Sequence, residues 1–181
     1  MRDLYEERPS GLLVPAPASV RFAGRYDFKQ VRKGHVIDEW SSDNIVVNQG
    51  LNAILNIVLG AQSAITTWYL GLFSGNYTPV AADTASSIST NATETTVYSA
   101  GVRQTFVPAA ATVQSISNSG SQASFTFTAS ASIYGAFLVS TSAINGTSGY
   151  LMSASQFGSV KNVSNADQLL VSYTFNAAST S

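Results

Sequence analysis

The sequence predicts a mainly β protein: a β-sandwich of jelly-roll type with one short α-helix and an extended N-terminal arm. Three observations carry that expectation. Strict alternation marks "SFTFTASAS", where Phe125 and Phe127 face one way and Ser124, Thr126 and Thr128 the other, and "LLVSYTF", where Leu169, Val171, Tyr173 and Phe175 share a face. Seven short β-prone runs (66–73, 102–107, 112–117, 122–129, 133–140, 149–157 and 168–175) are divided by turn clusters such as "NSGS" and "NGTSG". Only one segment carries a helical period. Many short strands at this spacing suggest two packed sheets.

Residues 1–24 contain Pro9, Pro15 and Pro17 and no strand or helix period. Proline fixes φ and removes a backbone donor, so extended, polyproline-like conformations are favoured. Leu4, Tyr5, Leu12, Leu13 and Val14 are more apolar than a solvated linker requires. The segment reads as an arm lying along a partner or a neighbouring subunit, with a frayed terminus as the alternative. The β-domain then spans residues 25–181.

In "GRYDFKQVRKGHVIDEW", residues 24–40, Tyr26, Phe28 and Gln30 share a face, and Lys33-Gly34 between two β-prone runs predicts a hairpin turn. His35, the single histidine, sits at that turn without companion ligands and reads as an exposed turn residue.

Residues 44–60, "NIVVNQGLNAILNIVLG", change period. Leu51, Ile54, Leu55, Val58 and Leu59 form one apolar helical face over about residues 48–60, with Asn48 as N-cap and Gly60 as the stop. So short a helix must pack on a sheet.

"TTWYLGLFSGNYTP", residues 66–79, puts Trp68, Leu70 and Leu72 on one strand face and Tyr69, Gly71 and Phe73 on the other. Apolar residues on both faces predict a strand covered by a second sheet on one side and by the helix on the other. No polar group converges on the rings, so the stretch reads as core rather than a ligand pocket. Residues 76–101 follow as a long loop, a feature that usually belongs to an interaction surface.

Charge is sparse and unevenly placed. Charged residues make up 10% of the 181-residue chain, where about 25% is usual. Residues 1–50 hold seven of the nine bases and seven of the ten acids, and only Arg103, Lys161, Asp83, Glu94 and Asp167 lie beyond. Ser, Thr, Asn, Ala and Gly must then supply the polar surface of the β-domain. Such a surface costs little to desolvate against another protein, because few ions lose their water. That suits shells, fibres and other assemblies.

The catalytic inventory is thin, and no enzyme is expected. The sequence has no HExxH, GxSxG, P-loop or GxGxxG pattern, and no cysteine for a thiolate. Asp38 and Glu39 are adjacent on a strand and point to opposite faces. Asp83, Glu94 and Asp167 could form a calcium site only by meeting in space, and no pattern organises them. No cofactor or metal is expected. Around the first hairpin, Arg25, Lys29, Arg32 and Lys33 are largely offset by acids at 27, 38, 39 and 43, a poor basis for phosphate binding. No direct nucleic-acid contact is expected. The hairpin bases and Leu12, Leu13 and Val14 are the candidate partner contacts. No apolar run is long enough to span a membrane, and "MRDLYEERPS" does not read as a signal peptide. Four N-x-[ST] sites (Asn76, Asn91, Asn145 and Asn162) are a by-product of the composition.

"VIDEWSSDNIVVNQGLNAILNIVLG" followed by "TTWYLGLFSGNYTPVAADTA", with the later "IYGAFLVSTSA" and "GTSGYLMSASQF", resembles a family of tailed-bacteriophage virion proteins. The resemblance covers residues 24–176 and leaves out the arm. It implies a structural protein, a capsid decoration (cement) protein on the virion exterior, made in the host cytoplasm. The implied partners are the major capsid protein and further copies of the chain. It implies no catalytic residues. A receptor- or glycan-binding tail module, or a neck or tail structural protein, is the alternative.

Overall fold

The computed structural model describes residues 5–7, 13–15 and 19–180, with backbone alone for 5–7, 13–15 and 180. Strands β1 (Tyr5–Glu7) and β2 (Leu13–Pro15) pair antiparallel as a two-stranded sheet of their own. The long strands β3 (Ser19–Arg32) and β4 (His35–Asp43) form the expected hairpin. Its turn has positive φ at both Lys33 (51°) and Gly34 (79°), the combination that suits the right-handed twist of paired strands. Then come β5 (Ile45–Val46), α1 (Asn48–Val58), β6 (Trp68–Phe73) and α2 (Ala85–Asn91). The remainder is all strand: β7 (Gln104–Phe106), β8 (Ser115–Ser117), β9 (Ala123–Thr126), β10 (Ala131–Val139), β11 (Leu151–Val163) and β12 (Gln168–Thr180).

The fold is mainly β, with two five-stranded antiparallel sheets. One has the order β4-β3-β12-β8, with β9 also on β12, and the other the order β5-β11-β10-β6-β7. Their facing side chains make one core: Tyr26 and Phe28 from β3, Phe125 from β9, Val171 and Tyr173 from β12, against Leu70 and Leu72 from β6 and Ile133 from β10. All eight are at most 1% exposed, so the alternation read from the sequence is the alternation of burial. A second, smaller cluster covers the outer face of the β6–β10 sheet. There Phe73, Phe137, Val139 and Ala154 meet Ala85, Ile88 and Ala92 around α2, and Val47 ahead of α1.

The structure departs from the sequence expectations in four places. Of the arm expected over residues 1–24, residues 19–24 belong instead to β3 and pair with 175–180 of β12. The long loop expected over 76–101 contains a second helix, α2, so the expectation of one helix is corrected. Its cap is reciprocal: Ser87 N–H donates to Thr84 Oγ1, and Thr84 N–H donates to Ser87 Oγ. Seven small, mostly polar residues offer too few apolar positions for a period to show.

Helix α1 ends at Val58 and is capped by backbone rather than by Asn48. Val47 is the N-cap residue, and Asn48 N–H donates to Ala81 O. Gly60 N–H donates to Asn56 O without a left-handed φ. The fourth departure is which face of α1 is covered. Gly50 and Ala53 are its buried residues, with Gly50 lying on the Met152 backbone, where any Cβ would collide. The small residues set the approach; Ile54 packs partly buried against the core, and Leu55, Val58 and Leu59 are turned outward.

Candidate assembly interface

The five charges beyond residue 50 are spent inside the protein or on its own hairpin. Glu94 and Arg103 form a bidentate pair, with Arg103 Nε to Glu94 Oε1 at 2.8 Å and Nη2 to Oε2 at 2.7 Å, and neither side chain has any exposure. The guanidinium also donates to Ser89 Oγ and to the Thr141 and Gly146 carbonyls, and lies 5.2 Å from the Phe137 ring centre. Glu94 further accepts from Asn145 N–H. Buried ions require such complete pairing, since an unmatched charge in a low-dielectric interior costs several kcal/mol.

Asp83 accepts from Tyr77 Oη, Val80 N–H and Ser87 Oγ, which ties the segment before α2 into one turn. Burial and the neighbouring carboxylate raise the Tyr77 phenol above its ordinary pKa. Asp167 takes two hydrogen bonds of 2.7 Å from Arg32, one from Gln30 Nε2 and one from Ser164 N–H. The Arg32 guanidinium beside it holds the Asp167 carboxyl far below the usual carboxylate range. Lys161 bonds Asp38 at 2.8 Å and lies 4.4 Å from the centre of the Trp40 ring. The three carboxylates considered as a calcium set therefore stand in three separate networks, each with its own partners.

The hairpin bases are largely spent as well. Arg25 pairs with Asp27, Lys29 with Glu39 and Arg32 with Asp167. Glu39 and Asp38 do point to opposite faces, one to Lys29 and the other across to Lys161 of β11. Lys33 is the one base of the four that makes no ion pair among the described residues. His35 is exposed opposite Arg32 in the ladder. Leu12 lies outside the described residues, and Leu13 and Val14 stand in β2, where only backbone is described.

What the exterior offers instead is apolar. On α1, Leu55, Val58 and Leu59 are 55%, 70% and 82% exposed, although they continue the face of Leu51 and Ile54. The sequence marks these residues as one stripe, but its period cannot say whether their cover comes from this molecule or another.

A second apolar feature opens at one end of the core. A cleft of about 330 Å³ is lined by Ile65, Trp68, Phe106, Met152, Tyr173 and Phe175 among others. Trp68 is half-buried at its mouth, whereas Leu70 and Leu72 further along β6 are sealed. The core reading of "TTWYLGLFSGNYTP" holds in full for residues 70–73, and Trp68, partly buried, packs against the core while also lining the opening. Nothing local to the sequence marks where a sheet ends, so the cleft was not legible there.

Comparison with known proteins matches this chain to no family model and to no curated relative.

Proposed function

We propose that this protein is a bacteriophage virion structural protein, a capsid decoration protein that stabilises the shell by bridging neighbouring major capsid subunits. The observation that carries the reading is the nearly charge-free exterior of residues 51–181. Of the five charges in residues 51–181, Asp83, Glu94, Arg103 and Asp167 are at most 4% exposed, and Lys161 is paired with Asp38. A surface of hydroxyls, amides and exposed aliphatic side chains gives up its water at less cost than an ionic one does. It forms permanent contacts without stripping ions of their hydration. The resemblance of residues 24–176 to phage virion proteins supplies the shell as the partner.

In this reading the fold is of jelly-roll type. Its first long strand, β3, and its last, β12, are neighbours in one sheet, while the penultimate β11 lies in the other. The role is mechanical and assigns no catalytic group, cofactor, nucleic acid or membrane.

The test compares the bursting temperature of virions with and without the protein. Shells lacking it should assemble and burst at lower temperature. Equal bursting temperatures together with lost adsorption to host cells would replace this reading with a receptor-binding tail module.

A further inference from the structure

Asn145–Gly146 is the only Asn-Gly dipeptide in the chain. It lies at the tip of the loop between β10 and β11, in a turn closed by Gly146 N–H donating to Ala143 O at 3.0 Å. The turn demands both residues. Asn145 has a φ of 58°, a left-handed value that asparagine tolerates better than most side chains. A Cβ on Gly146 would lie 2.8 Å from the Ala143 carbonyl oxygen. Backbone geometry therefore selects a dipeptide that is chemically labile, because a glycine leaves its own amide nitrogen unshielded from the asparagine side chain before it. Asn145 is exposed, and its side-chain amide makes no hydrogen bond among the described residues.

The reaction open to this pair needs only water. The Gly146 amide nitrogen gives its proton to water and attacks Asn145 Cγ. The Cγ–Nδ2 bond breaks, and Nδ2 takes up a proton and leaves as ammonia. Water then opens the cyclic imide at either carbonyl, leaving aspartate or isoaspartate at 145. A water is consumed and an ammonia released, with no oxidant.

Attack requires the peptide between Asn145 and Gly146 to turn until its nitrogen faces Cγ, and hydrogen bonds on both sides oppose that turn. Asn145 N–H donates to Glu94 Oε2 at 2.6 Å. Gly146 O accepts from Arg103 Nη2 at 3.2 Å and from Ser89 Oγ at 3.0 Å. The Glu94 and Arg103 side chains have no exposure, so an anchor in the interior holds an amide at the surface.

We propose that Asn145–Gly146 is a latent site of self-modification, held unreacted by the buried Glu94–Arg103 pair and opened only when that pair lets the loop go. Isoaspartate routes the main chain through the former side chain and lengthens the path from Asn145 N–H to Gly146 C=O. Both groups cannot then return to Glu94 and Arg103, so one opening leaves a permanent mark. The inference concerns the isolated chain and stands or falls apart from the virion reading.

Folded protein, urea-unfolded protein and variants would be incubated side by side at mildly alkaline pH, with conversion at 145 followed by peptide mapping and mass spectrometry. The folded chain should convert at least about tenfold more slowly than the unfolded one, since a locally open state is a minor population. Ser89→Ala removes one bond to Gly146 and leaves the ion pair. It should speed conversion several-fold with the far-UV circular dichroism unchanged, and Glu94→Gln should speed it further. Phe28, 1% exposed, lies in the opposite sheet. Phe28→Ala opens a cavity there and lowers stability comparably, yet should leave the rate near the parent's. Isoaspartate-bearing protein should melt below fresh protein, whereas Asn145→Asp, which gains the charge without rerouting the chain, should not. Equal rates in the folded and unfolded chains overturn the proposal, and so does an unchanged rate in both Ser89→Ala and Glu94→Gln. Equal acceleration by Phe28→Ala and Glu94→Gln overturns it too, because global unfolding would then be the gate.

Discussion

Phe137 on β10 stands across the register from Gly71 on β6, and its ring occupies the place where a side chain at 71 would begin. The neighbouring pair repeats the arrangement in reverse, with Gly135 on β10 beneath the ring of Phe73 on β6. Two glycines in strand interiors would weaken a sheet by exposing backbone. Here each is roofed by the phenylalanine opposite, and α2 closes over Phe73 and Phe137. Gly71→Ala and Gly135→Ala should each cost about 1–3 kcal/mol by overpacking. Gly135 should be the worse, because the Ser155 carbonyl also blocks its Cβ and backbone yields less than a ring. Urea unfolding midpoints measure both. Native-like stability in either variant would mean the ring swings aside and the roof is not rigid.

The Glu94–Arg103 pair lies over this same roof, with Arg103 against Phe137. Glu94→Gln should destabilise the fold by ~3–5 kcal/mol, the usual consequence of removing one partner of a buried ion pair. Replacing both, with Glu94→Leu and Arg103→Met, should recover part of that loss. The rest would persist, because the Thr141 and Gly146 carbonyls and the Asn145 amide lose their partners too. Denaturation of the single and double variants gives the coupling directly, and strictly additive losses would contradict it.

Asp167 should contribute to the acid limit of stability. Its folded pKa is depressed, first by the Arg32 hydrogen bonds and then by those from Ser164 and Gln30. A depressed carboxylate contributes stability that is fully present above its unfolded value near ~3.9 and is lost as pH falls through the folded value. The folded protein should therefore lose stability progressively below about pH 4. Asp167→Asn should be less stable at neutral pH and show a shallower acid slope. An unchanged slope would mean that other carboxylates carry the acid transition.

Position in the core separates Trp68 from Phe125. Phe125 is fully buried, so Phe125→Ala should cost ~3–5 kcal/mol. Trp68 lines the open cleft, and Trp68→Ala should cost no more than about half as much, since part of its surface already meets solvent. Chemical denaturation of the two variants side by side decides the matter. Equal losses would show that the cleft is closed in solution.

The outward face of α1 should matter for assembly and not for folding. Replacing Leu55, Val58 and Leu59 together by Ser should leave the melting temperature of the isolated protein within a degree or two, since each is mostly exposed. Occupancy on shells should fall under the proposed function. Raised salt should weaken attachment of the native protein only slightly, because neutral burial is not screened. A large drop in melting temperature of the isolated variant would show that the helix face is covered within the molecule.

Alternation of apolar and polar residues was enough to identify β12, β9 and the hairpin of β3 and β4, because a strand half-buried on one face writes its burial with period two. Lys33-Gly34 announced its turn because a tight hairpin demands positive φ there. The placement of charge in the first 50 residues, and the neutral character of everything beyond, also stood in the sequence. Only the tertiary structure decided what covers each apolar face. Leu51 to Leu59 make one helical stripe, yet the close contact is made by Gly50 and Ala53, Ile54 packs partly against the core, and Leu55, Val58 and Leu59 are left outward. Residues 19–24 read as arm until β12 gave them partners at 175–180, at the far end of the sequence. Helix α2 is held by a reciprocal cap and by its place over Phe73 and Phe137. Glu94, Arg103, Asp83 and Asp167 look like surface charges until the fold brings their partners to them. Periodicity is a property of neighbours along the chain and can be read there. Burial of a given face, and the pairing of a given ion, depend on residues distant in sequence, and no local pattern contains them.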